Sequence, residues 1–82
     1  MSHHLREVDA DEVRAVLFDG NIIEDYPENA RGHSCLMLGY GVDHRPIHVV
    51  CSPKDEYLAI ITVYLPDERL WEADWKTRRP RP

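Results

Sequence analysis

Cysteine is scarce in this 82-residue chain, with Cys35 and Cys51 the only two. Two thiols so far apart make no disulfide framework, and they lack the close spacing of a zinc knuckle, so they are expected to serve as small apolar fillers. Long apolar runs are also missing, since none approaches the ~20 residues that a membrane helix needs. Charged residues follow Met1-Ser-His-His, where the apolar core of a signal peptide would begin. A cytoplasmic protein with no membrane partner is the expectation. Among the metal-ligating residue types, His33, Cys35, His48 and Cys51 show no short-spaced pairing. His3 and His4 could take up metal adventitiously, and neither a metal nor another cofactor is expected. There are no internal repeats and no break in composition that would mark a second domain.

What remains is a small globular composition, 43% hydrophobic and 30% charged. At this length one core gives marginal stability, so dimerisation is a live expectation. The net charge of -5 conceals an asymmetry. Residues 1–75 hold all 15 acids and six of the ten bases, a balance of -9, whereas Lys76, Arg78, Arg79 and Arg81 make the last seven residues basic. The expected organisation is a single α+β domain over residues 1–75 and a basic Pro/Arg tail over 76–82, extended and mobile.

The centre of the sequence is a pair of β-branched and aromatic runs, residues 47–51 and 57–65, joined by the turn formers Ser52-Pro-Lys-Asp-Glu56. In the second run both alternating sets are largely apolar, which predicts a strand with neighbours on both edges and cover on both faces. Upstream, Asp9 with Glu12 forms an Asp-x-x-Glu capping box for a helix from Ala10, and Val8 can staple onto Val13. Val13, Val16 and Leu17 make its buried stripe, and Gly20 is the expected left-handed stop. Residues 21–26 read as a first strand ended by Pro27, and residues 33–40 as a second. A tight connection at 41–44 leads into the third. The predicted fold is an N-terminal helix packed on a four-stranded antiparallel meander sheet, followed by a short helix or turn over 67–75, with Trp71 and Trp75 on one face.

His48 interrupts an apolar strand. If residue 48 pairs with 62, His48, Thr62 and Tyr64 share one face, with Tyr40 nearby. An imidazole beside a phenol, with Arg45, Arg78 and Arg79 as candidate phosphate binders, has the parts for metal-independent RNA cleavage. One group would take the 2'-OH proton, another would protonate the leaving oxygen, and a guanidinium would hold the phosphate. The competing reading is a core histidine bonded to a neighbour. Glu24 and Asp25 point to opposite faces and form no dyad; Asp25 is expected to orient the turn at Pro27 through a backbone contact. The tail, with Trp71 and Trp75 before it, has the cations and aromatics of an RNA contact, or it docks on the acidic body.

Five blocks, in order, resemble the family catalogued as domain of unknown function 4258. They are Asp11-Glu-Val-Arg-Ala-Val-Leu17, Gly20-Asn-Ile-Ile-Glu-Asp-Tyr-Pro27, Ser34-Cys-Leu-Met-Leu-Gly39, Arg45-Pro-Ile-His-Val-Val50 and Ile60-Ile-Thr-Val-Tyr-Leu-Pro66. The resemblance implies a grouping with RelE-like toxin nucleases, an α+β fold, an antitoxin protein as partner and RNA as substrate. Its His and Tyr on adjacent strands correspond to His48 and Tyr64. Relatives open with a strand and a longer helix bearing a His-Ala-x-x-Arg-like stretch, of which residues 2–6 resemble a remnant. A shortened start would leave a sheet edge bare, and bare edges pair with a second copy. The leading expectation is therefore a ribonuclease-type toxin domain with His48 and Tyr64 as acid/base groups. The alternative is a non-enzymatic or degenerate interaction module that associates through an exposed sheet edge, in which His48 is structural.

Overall fold

The capping box forms as expected and sets the start of the helix. In the computed structural model, which describes residues 8–28 and 32–80, the Asp9 carboxylate accepts from the Glu12 amide at 2.9 Å, and the Glu12 carboxylate accepts from the Asp9 amide at 3.3 Å. Helix α1 runs Ala10–Asp19. After it come β1 (Asn21–Tyr26), β2 (Ser34–Tyr40), a 3-10 turn (Val42–His44), β3 (Pro46–Pro53) and β4 (Leu58–Tyr64). The four strands form one antiparallel sheet in the order β1-β2-β3-β4, the predicted α+β meander. Residues 2–6, part of the 27–32 link and residues 81–82 lie outside the described residues. No helix among the described residues is long and apolar enough to cross a membrane.

Alternation along β2 and β3 divides the sheet into two faces. Cys35, Ile47, Val49 and Cys51 turn toward α1 and form the core with Val16, joined at its margin by Val8, Val13, Leu17 and Val63. Leu36, Leu38, His48 and Val50 turn away, following the pairings Leu36↔Val50 and Leu38↔His48. The helix crosses close to Gly39, where a Cβ would lie 2.7 Å from Val16 Cγ2. Any larger residue there would force the two layers apart. Gly20 ends the helix differently from the expected left-handed stop. Its backbone is extended (φ -80°, ψ 179°), and its N–H bonds Val16 O at 2.8 Å. Its lack of a side chain is needed instead for close passage of the Leu38 carbonyl.

β4 also departs from expectation. Among the described residues it is an edge strand with one neighbour, and Leu58, Ile60 and Ile61 are about two-fifths exposed. Two-sided apolarity in the sequence does not identify a central strand here, because a simple meander leaves its last strand at the margin. A bulge at Ile61, between the pairs Val50↔Thr62 and Cys51↔Ile60, bends the strand further.

Glu12 joins helix to sheet. Besides Asp9, its carboxylate accepts from the Val42 amide at 2.7 Å and from Arg45 Nη2 at 2.9 Å and Nε at 3.3 Å. The turn can present these donors because Asp43 and His44 both adopt positive φ. Led by the Arg45 hydrogen bond, the donors hold the Glu12 carboxyl at about 2, against an ordinary 4.5. The associated stability is thus present above pH about 4.5 and is lost as pH falls toward about 2. Glu12→Gln should lose about 1.5–3 kcal/mol at pH 7 in urea unfolding, and its gap from the wild type should narrow at pH 3. A gap independent of pH would contradict this account.

Candidate functional site

The sheet face away from α1 carries His48, Thr62 and Tyr64, with residues 66–80 packed over His48. His48 and Tyr64 are direct cross-strand partners. The register is two residues from the 48–62 pairing considered above, so Thr62 opposite Val50 still shares their face. His48 Nε2 lies 2.7 Å from the Trp75 carbonyl oxygen, which can only accept, so this nitrogen carries the proton. Nδ1 is then the acceptor for the Tyr64 hydroxyl at 3.1 Å. The imidazole is fully buried. Trp71, itself buried, meets it edge-on with centroids 4.5 Å apart, and Tyr64 does so at 5.2 Å.

A second cluster lies beside the first. Arg78 holds Glu24 in a two-point contact, Nε to Oε2 at 2.8 Å and Nη2 to Oε1 at 2.9 Å, while the Tyr26 hydroxyl donates to the same carboxylate. The guanidinium also sits 4.6 Å from the centre of the Trp71 ring. One strand face supplies both Glu24 and Tyr26, because they are two residues apart. Sequence reasoning passed over this pair, although that spacing was the available signal. It also missed the Trp71 seat and the Trp75 carbonyl, which depend on the path of the loop rather than on any periodicity.

The environment sets the protonation states. Burial pushes the His48 imidazole below its usual value and the Tyr64 phenol above its own. Arg78 lowers the Glu24 carboxyl, whereas burial and then the Glu24 contact raise Tyr26. His48 is therefore neutral, with both nitrogens engaged inside the protein. Acting as a base toward an outside molecule would require displacing the Tyr64 hydroxyl and lifting the cover.

Of the short helix or turn expected over residues 67–75, that cover takes the turn form. Asp67 accepts from the Arg69 amide, and Asp74 accepts from the Lys76 and Thr77 amides and the Thr77 hydroxyl. Such local bonds favour turns over helix, and Trp75 completes the turn at φ 62°. Nor is the stretch that follows loose through Pro80. Trp71 and Arg78 form a backbone bridge, the Arg79 amide bonds Leu70 O at 2.9 Å, and the Glu72 amide bonds Thr77 O at 2.8 Å.

The remaining candidates are scattered. Arg45 belongs to the Glu12 cluster on the helix side, and Arg79 binds the Glu68 carbonyl and Glu72. Tyr40 stacks on His44 at 4.4 Å rather than joining His48. Asp25 pairs with His33 across the β1–β2 register, in place of the expected backbone contact. Cys35 and Cys51 are buried cross-strand partners with free thiols. Among the described residues no three His, Cys, Asp or Glu side chains converge to hold a metal ion. An open groove of about 780 Å³, walled by Gly20, Asn21, Leu38, Tyr40, Asp74 and Lys76, runs beside the buried pair without reaching His48 or Tyr64.

Residues 3–65 match the family model described as Domain of unknown function (DUF4258). The chain belongs to that family. No curated protein matches it, and neither does any solved structure. The DUF4258 match takes in α1 and all four strands, hence Glu24, Tyr26, His48 and Tyr64; Trp71, Trp75 and Arg78 follow it.

The buried imidazole has a testable signature. In an NMR titration its midpoint should fall below 6.5, and its Nε2–H should persist as a slowly exchanging signal. Because the folded value is lowered, the linked stability is present above pH about 6.5 and lost as pH falls through the folded midpoint. A midpoint at or above 6.5 would mean that burial does not dominate over the Trp75 and Glu24 contacts.

Proposed function

We propose that this chain is a protein-interaction module that receives an extended strand from a partner along β4. The observation that carries this reading is β4 itself, a seven-residue edge strand, Leu58–Tyr64, containing neither a charge nor a proline. Natural edge strands are usually blunted by a charge, a proline, a bulge or a cover, and of the first three β4 has only the bulge at Ile61. β1, at the opposite edge, carries Glu24 and Asp25 and is followed by Pro27. Strand addition would use the open main-chain groups of β4 for affinity and its exposed Leu58, Ile60 and Ile61 for side-chain complementarity. Asp55 and Glu56 precede the strand, and Asp67 and Glu68 follow it, in a body with a net charge of -9 over residues 1–75. These charges favour a partner strand with an apolar middle and basic flanks. The grouping with RelE-like toxins would make an antitoxin protein the biological setting, while pairing with a second copy would give a homodimer.

The test uses two extended peptides with the same alternating Val/Thr centre, one flanked by lysines and one by glutamates. The lysine-flanked peptide should perturb and protect β4 amides, the other should do so far less, and Ile60→Lys should abolish the effect. Equal responses, or none at β4, would reject the reading.

A second reading, a metal-independent endoribonuclease, is favoured by one arrangement. Glu24, Tyr26, His48, Tyr64 and Arg78 gather on one sheet face and combine acid/base groups with a guanidinium. On this reading residues 66–80 must lift before His48 meets RNA, and the chain's net charge of -5 opposes a polyanion. In chelator-containing buffer the wild type would cleave RNA, and His48→Ala and Tyr64→Phe would each lose about 10²-fold or more in rate, the lower end of a typical acid/base contribution. RNA left intact by the wild type would remove this reading and leave the strand-addition proposal standing.

A further inference from the structure

Cys35 on β2 and Cys51 on β3 are directly opposed, with their sulfurs 3.6 Å apart. Opposed residues in an antiparallel pair have Cα atoms about 4.5–5.5 Å apart, within the span that a disulfide bridges. Closing the bond requires the sulfurs to approach to about 2.05 Å, a shift that side-chain rotation and slight strand movement can supply. No other residue separates the two sulfurs, and both lie in the buried core that also holds Val16 of α1. We propose that Cys35 and Cys51 form a modification site, a cross-strand dithiol that closes reversibly to a disulfide by exchange with a low-molecular-weight disulfide, R–S–S–R.

The exchange balances in two steps. One cysteine thiol loses its proton, and its thiolate attacks a sulfur of R–S–S–R, forming the protein–S–S–R mixed disulfide and expelling R–S⁻. The second cysteine then loses its proton, and its thiolate attacks the protein sulfur of the mixed disulfide, expelling the second R–S⁻. Two protons and two electrons leave the protein, and two R–SH are formed. Cys35, slightly the more accessible of the two, is the first attacker. Cys51 resists ionisation, because burial and the contact with Cys35 push its thiol up to about 11.

Burial makes the site conditional on opening. An incoming disulfide reaches the buried Cys35 only when the core opens, and the core is held together in part by α1 through the Asp9 cap and the Glu12 contacts. The closing rate therefore reports how often the core opens. Loss of an N-cap weakens a helix enough to change an opening equilibrium roughly five-fold.

The experiment incubates the full chain with oxidised glutathione at pH 8, quenches by alkylation in denaturant and measures intact mass. A parallel sample of unfolded chain shows that the oxidant is competent. The expected product is a monomer two hydrogens lighter, unalkylated, with its folded spectrum retained and the thiols restored by reductant. Cys35→Ser should give no such product, and Asp9→Ala should form it roughly five-fold faster. Full alkylation of the native chain under conditions that oxidise the unfolded chain would overturn the proposal. So would a product consisting only of glutathione adducts, a disulfide-linked dimer, or a disulfide that forms only with loss of the fold.

Discussion

Four donor contacts meet at the Glu12 carboxylate and a fifth runs from its own amide to Asp9, and together they fix how helix and sheet face one another. A buried carboxylate is costly unless its oxygens are satisfied, so its environment must be assembled in full. Two of the partners are local and belong to the capping box. The others come from the β2–β3 turn, where left-handed Asp43 and His44 bring the Val42 amide and the Arg45 guanidinium to the same point. A helix-start signal thereby becomes a tertiary lock. It sets the position of α1 over the β2–β3 core and, through Val16, the tight passage at Gly39.

Much of this fold was legible from local chemistry. The Asp9–Glu12 box, the Val13, Val16 and Leu17 stripe, and a first strand bounded by Gly20 and Pro27 depend on signals within a few residues of one another, and such signals survive folding intact. Failures occurred where a local pattern had two tertiary solutions. An apolar strand can be central or left at an edge, and β4 took the edge. Trp71 and Trp75 at helical spacing can share a helix face, yet Asp67 and Asp74 captured nearby amides and made turns instead. At the candidate site, the neighbouring positions of His48 and Tyr64 followed from hairpin pairing. Their burial did not, because it depends on a loop whose path no periodicity encodes.

The two sheet faces place different demands on the sequence. Against α1 the sheet's own core contacts are apolar and include the two thiols, with the Glu12 contacts as the polar exception at the turn. On the other side, a histidine, two tyrosines, a glutamate and an arginine are arranged so that nearly every polar atom has a partner. A satisfied polar network specifies one arrangement more strictly than an apolar layer of equal size. This favours His48 as an organising core residue, in keeping with the strand-addition role proposed for β4.

The family match and the folded body have different boundaries. Residues beyond 65 supply the indole that seals His48, the carbonyl that selects its tautomer and the guanidinium that neutralises Glu24. A truncation drawn at the end of the match would cut through an interior layer rather than a linker, baring Leu36, Leu38 and a solvated imidazole. For this member of the family, the smallest cooperative unit is therefore longer than the shared domain.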